Sequence, residues 1–290
     1  MHIAGFANPW EHTRLLSDAS RNRALITLLQ RHAPGKTVLE VGCGTGLLSL
    51  VAAKLGARQV HAVEPTAMAE VARELVRCNG LEGIVQVHEA MIQDLTPRPV
   101  DLAFFELLNA DPFVEGVMSV AEATRAWVGE HGLLAPRRLR VFAALCGCEA
   151  PAREMRQADD ELRRLEASLG LRLGPLREAL QTEETSKEIG VEVPMSAPVE
   201  VWSLDLRSDE LPEDEEVIQL TAMVDAEVGG VMVWFEAELD DGLVLSNAPG
   251  TDNHWGQLLA GFSETVSLEA GASIEVVVEL DDDELEVRRA

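Results

Sequence analysis

The chain has 290 residues, 47% of them hydrophobic, with four cysteines and a formal net charge of −26 at neutral pH. That length allows two domains and a core that folds without staples, while four cysteines make no disulfide framework and fit a reducing cytoplasm. The charge excludes a preference for nucleic acid, whose phosphates need a basic surface, and it favours cationic partners. No apolar run reaches the roughly 18 residues of a membrane span, and Met1 to Phe6 turns polar too soon for a secretory signal. Cys146-Gly-Cys148 is too tight for zinc and has no second pair, so no metal is expected. The acidic runs 209–216 and 281–286 read as solubilising surface.

Residues 10–33 place Leu15, Leu16, Ala19, Leu25, Leu28 and Leu29 at helical spacing, with His12, Asp18 and Arg21 on the same stretch. From Thr37 the pattern changes to a buried strand, Val38-Leu39-Glu40-Val41, then Gly42-Cys43-Gly44-Thr45-Gly46, then a helix over 47–55. Strand, glycine turn and helix make a nucleotide cradle: glycines let the backbone close on a ligand, and the helix start offers free N–H groups. The next strand, 59–63, ends in Glu64, about 20 residues beyond the turn, where a carboxylate can accept both hydroxyls of a ribose. The Gly-x-Gly-x-Gly spacing departs from the Gly-x-Gly-x-x-Gly of nicotinamide enzymes and resembles that of class I S-adenosylmethionine methyltransferases. No Gly-Lys-Ser/Thr follows, which argues against a P-loop.

A helix near 67–78, strands at 84–88 and 100–105, a helix near 117–128 and then Gly132-Leu-Leu-Ala-Pro136 continue the alternation. Strands alternating with helices predict a parallel sheet wound on both faces, with ligands at the carboxyl ends of its strands. Glu106 follows the fourth strand and stands at that edge. With Glu115 it brackets a mostly apolar loop, Leu107 to Val114, so two carboxylates can grip a planar cation from two sides. Beyond Pro136, residues 140–145 read as a strand, and 151–181 carry Met155, Leu162, Leu165, Leu169, Leu176 and Leu180 at helical spacing. Short strands with turn signals then occupy 199–206, 216–226, 231–238, 258–262, 264–268 and 274–280, an antiparallel barrel or sandwich. Among them stands Asn253-His254-Trp255, which alone reads as core packing.

Together these features resemble the protein arginine N-methyltransferase family over nearly the whole chain. His12, Leu15-Leu16, Asp18 and Arg21 match the family's N-terminal pattern, and Val38 to Gly46 with Glu64 match its methyltransferase motif. Glu106 and Glu115 match its double-E loop, and Asn253-His254-Trp255 its Thr-His-Trp loop. Glu106-Leu107, Glu115-Gly116 and the Asn before His-Trp resemble most the branch that makes only monomethylarginine, in a short bacterial-type form. The resemblance implies an α/β chain: a helical segment over 1–34 closing the cofactor site, a Rossmann-like S-adenosylmethionine-binding domain over 35–136, and an antiparallel β-barrel substrate domain over 137–290 with a helical dimerisation arm inserted at about 151–182.

The same resemblance implies S-adenosyl-L-methionine as cofactor, met by Arg21 at its carboxylate, Glu64 at its ribose, and His12, Gly42, Cys43, Gly44, Gly46 and Ile92 around it. It implies a guanidinium substrate, on a protein or peptide or as free arginine, held by Glu106 and Glu115 with Trp255 and Phe6 nearby. A guanidinium is planar, always charged, and presents a fork of donors matched to carboxylates. Two glutamates localise its charge on the far nitrogens, and Glu115 is the candidate to accept the proton. Asp18 and His254 complete the catalytic set, as a proton relay or as a clasp between the chain's two ends. A cytoplasmic homodimer is implied as well. The sequence departs from the family at Phe6 and His2, where tyrosines are usual, and at Met91-Ile92-Gln93, where an acid meets the adenine. Three rivals share parts of the pattern. They are a small-molecule N-methyltransferase for free arginine with Arg137 or Arg138 at the substrate carboxylate, a non-catalytic S-adenosylmethionine-binding scaffold, and a methyltransferase for ribosomal-protein lysines or glutamines.

Overall fold

The computed structural model describes residues 15–148, 160–168, 172–175, 185–212, 215–281 and 283–290. The expected positions His2, Phe6 and His12 lie outside them, as does most of the 151–182 arm. Of that arm, residues 160–168 are helical, with Leu162 buried and Leu165 exposed.

Strands β1 (Thr37–Val41), β2 (Gln59–Val63), β3 (Val85–His88), β4 (Val100–Phe105) and β5 (Val128–Ala135) form a parallel sheet in the order β3-β2-β1-β4-β5. Every residue of β1 is buried, as in a strand covered on both faces. Helices α1 (Ala19–His32), α2 (Leu47–Lys54), α3 (Met68–Cys78) and α4 (Val117–Arg125) belong to this half. The chain steps outward from β1 through β2 and β3, then returns to β4 on the other side, opening a crevice at the carboxyl ends of β1 and β4. Register fixes what lies there. Val41 is opposite both Val63 and Phe105, so the residues that follow, Gly42, Glu64 and Glu106, leave the sheet in one row.

Two expectations change in this half. The helix expected over 10–33 is interrupted at Asp18, whose extended backbone (φ −73°, ψ 99°) and side chain cap α1 by accepting the Arg21 N–H. The helix expected to reach 128 stops at Arg125, and β5 follows. Gly129, His131 and Gly132 hide its apolar pattern. A Cβ on Gly132 would stand 2.9 Å from the Val100 carbonyl oxygen, where β5 and β4 shift register.

The remaining strands are β6 (Arg138–Cys146), β7 (Thr185–Gly190), β8 (Val199–Asp205), β9 (Glu216–Thr221), β10 (Ala226–Asp240), β11 (Leu243–Ser246), β12 (Gln257–Leu268), β13 (Ser273–Asp281) and β14 (Glu284–Arg289). They form two antiparallel sheets, β7-β12-β10-β6-β8 with β11 also on β10, and β14-β13-β9. The expected barrel-or-sandwich unit is thus two antiparallel sheets. The expected strands 258–262 and 264–268 merge into β12, 231–238 lengthens into β10, and 216–226 stops at Thr221. Gly229-Gly230, in the gap between the expected strands 216–226 and 231–238, lies inside β10, where a Cβ on Gly229 would stand 1.9 Å from the Gly147 oxygen and one on Gly230 2.1 Å from the Ala260 oxygen. Strands β7, β11 and β14 were not foreseen. Leu285, within the run 281–286 read as solubilising charge, and Val287 just beyond it alternate inward and are buried. Cys146 ends β6 and Cys148 follows it, both free and buried, with sulfurs 2.9 Å apart. One continuous core runs through both halves, and no helix among the described residues is long and apolar enough to cross a membrane.

Candidate active site

The crevice holds a cleft of about 1130 Å³ including its mouth. Its floor is the glycine turn. Gly42, Gly44 and Gly46 all have positive φ (71°, 52° and 76°), a region costly for residues with a Cβ. At Gly42 the restriction is doubled, because a Cβ would meet Leu107 Cδ2 at 2.7 Å. Gly46 caps α2. Cys43 and Ile92 are buried cleft residues, and burial with the nearby acids pushes the Cys43 thiol well above its ordinary value, so it offers no thiolate.

Glu64 lines the cleft and serves the turn itself. Its Oε2 accepts the Gly44 N–H (2.8 Å), and its Oε1 accepts the N–H (3.0 Å) and hydroxyl (2.6 Å) of Thr66. Glu40 reaches the same cleft from within β1, accepting the Ser49 hydroxyl. Burial pushes the Glu40 carboxyl up to about 7, against the Ser49 hydrogen bond and the charge of Arg21.

Glu106 and Glu115 face the cleft from the two ends of their loop. Arg21 reaches across from α1, and its Nε and Nη2 both engage Glu106 Oε2, while both side chains are nearly excluded from solvent. Glu106 is therefore already set to receive a guanidinium, and in this structure the guanidinium is the chain's own. Glu115 accepts a hydrogen bond from the Asn109 amide (3.2 Å). Burial first, and the charge of Glu106 second, push its carboxyl up to about 8, with Asn109 and Arg21 opposing. The loop is tied down by Asp111, which accepts the N–H of Phe113 (3.0 Å) and of Leu285 in β14 (2.8 Å). The edge-on contact of Phe113 with Trp202 carries it into the antiparallel half.

Asp18 and His254, 236 positions apart, meet. Asp18 Oδ2 lies 2.8 Å from His254 Nδ1 and accepts the His254 backbone N–H (3.1 Å). Ser20 adds a second tie, its hydroxyl donating to the Asp252 carbonyl (2.6 Å). Burial alone would push Asp18 up, but hydrogen bonds from the Arg21 backbone, His254 and Ser20 together hold it below the ordinary carboxylate value. Neither Asp18 nor His254 lines the cleft; they hold α1, and hence Arg21, against the His-Trp loop. Expected at the substrate, Trp255 is instead buried edge-on against Phe235 (5.2 Å) outside the cleft lining, because its indole fills the antiparallel core.

Sequence reading did not single out Ser49, Thr66, Asn109 or Asp111. Nor was Glu40 a candidate, although an acid inside the apolar strand Val38-Leu39-Glu40-Val41 is a signal for it; the others act through partners distant in the sequence or through loop turns. Four carboxyls line the cleft, Glu40, Glu64, Glu106 and Glu115, against one basic side chain among the described residues, Arg21. Such a lining is complementary to a cation.

Comparison with known proteins agrees with this arrangement. A family model described as ribosomal protein L11 methyltransferase (PrmA) matches residues 22–145. That range covers the parallel half and stops short of Asp18 and the His-Trp loop. The arginine N(omega)-methyltransferase of Streptomyces achromogenes subsp. streptozoticus is 28% identical over 281 residues, 92% of this chain and 74% of that protein. Protein arginine N-methyltransferase PRMT10 of Arabidopsis thaliana is 27% identical over 294 residues, 90% of this chain and 77% of that one. The crystal structure of Arabidopsis thaliana protein arginine methyltransferase 10, in an open conformation, superposes with a TM-score of 0.84 at 23% identity, covering 99% of this chain and 93% of that one. The Trypanosoma brucei PRMT1 enzyme–prozyme complex with AdoHcy gives 0.81 at 19% identity, over 97% and 92%.

Proposed function

We propose that this chain, a member of the arginine N-methyltransferase family, is an S-adenosylmethionine-dependent enzyme that transfers one methyl group to a guanidino nitrogen of arginine in a protein or peptide. The observation that carries the reading is the charge deficit of the cleft: four carboxyls share one arginine. The residues fit the cofactor. Its ribose would lie at Glu64, its carboxylate at Arg21, and its chain over the glycine turn, which has no Cβ to block it. When bound, S-adenosylmethionine supplies a methyl carbon activated by a positive sulfur.

The rest is done by this chain. Glu106 and Glu115 hold the guanidinium from two sides, orienting one nitrogen and drawing positive charge to the others. Glu115 Oε2 is the acceptor for the proton that the nitrogen releases. A carboxyl raised to about 8 is a stronger base than an ordinary glutamate, and a bound guanidinium favours its ionised form. Asp18 and His254 keep the cleft wall in place.

In this reading residues 1–34 close the cofactor site, 35–136 carry the cofactor, and 137–290 shape the substrate's approach. Monomethylation is favoured by the Glu106-Leu107 and Asn253-His254 features. The arm over 151–182 is assigned to a homodimer in the cytoplasm, where it would cover Leu47 and Val71, large apolar side chains exposed on α2 and α3. A peptide substrate is favoured over free arginine because Arg21 is the one basic side chain of the cleft among the described residues. Arg137 and Arg138, the expected cations for a free amino acid, line a separate cleft, where Arg137 pairs with Glu238 and Asp241.

The test pairs isotopically labelled S-adenosylmethionine with a Gly-Arg-rich peptide and with free arginine. The peptide should be the better acceptor, gaining one methyl per arginine. Glu106→Gln should lose at least about 100-fold in kcat while binding S-adenosylmethionine normally. Full activity in that variant would sink the proposal.

A further inference from the structure

Asn109 stands three residues after Glu106 in the loop between the two acids. Its amide makes two contacts with opposite polarity. Oδ1 accepts the N–H of Ala110 (2.8 Å), which fixes the plane of the amide against its own backbone. Nδ2, turned the other way, donates to Glu115 Oε1 (3.2 Å). The orientation is thereby set by chemistry, since the opposite flip would put two acceptors against each other at Glu115 and two donors at Ala110. The charged groups nearest in effect are Glu106, which repels, and Arg21, which attracts but is engaged on Glu106; Glu40 and Glu64 line the same cleft.

We infer that Asn109 is a positioning residue for the reaction: by holding Glu115 Oε1 it leaves Oε2 turned to the guanidinium as the atom that binds it and takes its proton. The inference rests on the function proposed above. Without the amide, Glu115 is free to rotate, and both of its oxygens compete for the incoming fork. The same hydrogen bond favours the ionised carboxyl, opposing the burial and the neighbouring charge that push it up. Asn109 thus sets both the direction and the working pH of the base.

Asn109→Asp separates this role from a structural one. The aspartate keeps the oxygen that accepts from Ala110, so the loop turn survives, but it replaces the donor facing Glu115 with a second carboxylate oxygen. The acid limb of kcat/KM against pH should move up by about one pH unit, roughly a tenfold loss at a fixed pH below the limb. Activity should recover at high pH, and S-adenosylmethionine affinity should stay within twofold. A second measurement needs no methyl transfer: the Glu115 side-chain carboxyl, followed by carbon-13 NMR and assigned with Glu115→Gln, should titrate at higher pH in Asn109→Asp. An unmoved titration overturns the inference. A moved titration in a protein that transfers nothing to arginine would instead keep this contact and overturn the function proposed above.

Discussion

Replacing Glu115 by Gln should make the cofactor-free protein more stable, and only at higher pH. Glu115 is carried from an ordinary 4.5 to about 8 by burial and by the charge of Glu106. A folded-state value above the unfolded one means that the fold favours the protonated carboxyl. That contribution is fully present below about pH 4.5 and is lost as pH rises through about 8. At 1.36 kcal/mol per pH unit, the upper limit is on the order of 5 kcal/mol. Glu115 opens partly to the cleft, where solvent screens its charge, so about 2 kcal/mol is the working figure. For a chain of this size that corresponds to a thermal midpoint shift of about 4–8 °C. Gln keeps the oxygen that accepts from Asn109, and Glu40 contributes equally to both proteins and cancels. Thermal unfolding of wild type and Glu115→Gln at pH 5 and pH 8.5 measures the effect. The midpoints should nearly coincide at pH 5, and the variant should lead at pH 8.5. A difference independent of pH, or a less stable variant at pH 8.5, would refute the assignment of Glu115 as a buried, electrostatically strained acid.

Three other substitutions probe neighbouring parts. Gly42→Ala places a Cβ 2.7 Å from Leu107 Cδ2 at a φ of 71°, at a strain of about 1–2 kcal/mol, and should weaken S-adenosylmethionine binding at least about tenfold in calorimetry. Asp18→Ala removes the α1 cap and the partner of His254; a loss of about 2–4 kcal/mol in urea unfolding marks a clasp, whereas unchanged stability with reduced kcat marks a proton relay. His61 and His88, 3.1 Å apart, are both held below the ordinary 6.5 chiefly by burial, so their stabilising contribution is present above that pH and is lost as pH falls through their lowered values. His88→Gln should therefore narrow the gap in thermal midpoint between pH 7 and pH 5, and an unchanged gap would clear the pair of that role.

What could be read from the sequence was local. The apolar run of β1 followed by glycines at alternate positions needs no distant partner to be recognised, and neither does an acid at the end of a strand. That Gly42, Glu64 and Glu106 stand in one row follows from sheet register, which the sequence implies only once strand order is known. The failures were contextual. Gly229-Gly230 signals a turn until the approach of Gly147 and Ala260 is seen, and the acids around Leu285 and Val287 masked a two-residue alternation. Trp255 illustrates a different limit. A tryptophan next to a histidine carries the same sequence signal whether it faces a ligand or the core, and only Phe235 beneath it decides. The Arg21–Glu106 ion pair is hidden for a related reason: the two lie 85 positions apart, and their meeting depends on how α1 sits over the sheet.

The central claim concerns which nitrogen takes the methyl group, because the parallel half alone is shared with ribosomal-protein methyltransferases. Incubation of the purified chain with isotopically labelled S-adenosylmethionine and a peptide containing arginine, lysine and glutamine, followed by tandem mass spectrometry, reads that nitrogen directly. The label should sit on a guanidino nitrogen of arginine, and Glu106→Gln should abolish it. Label on lysine or glutamine, or on arginine to an equal extent in Glu106→Gln, would contradict the account.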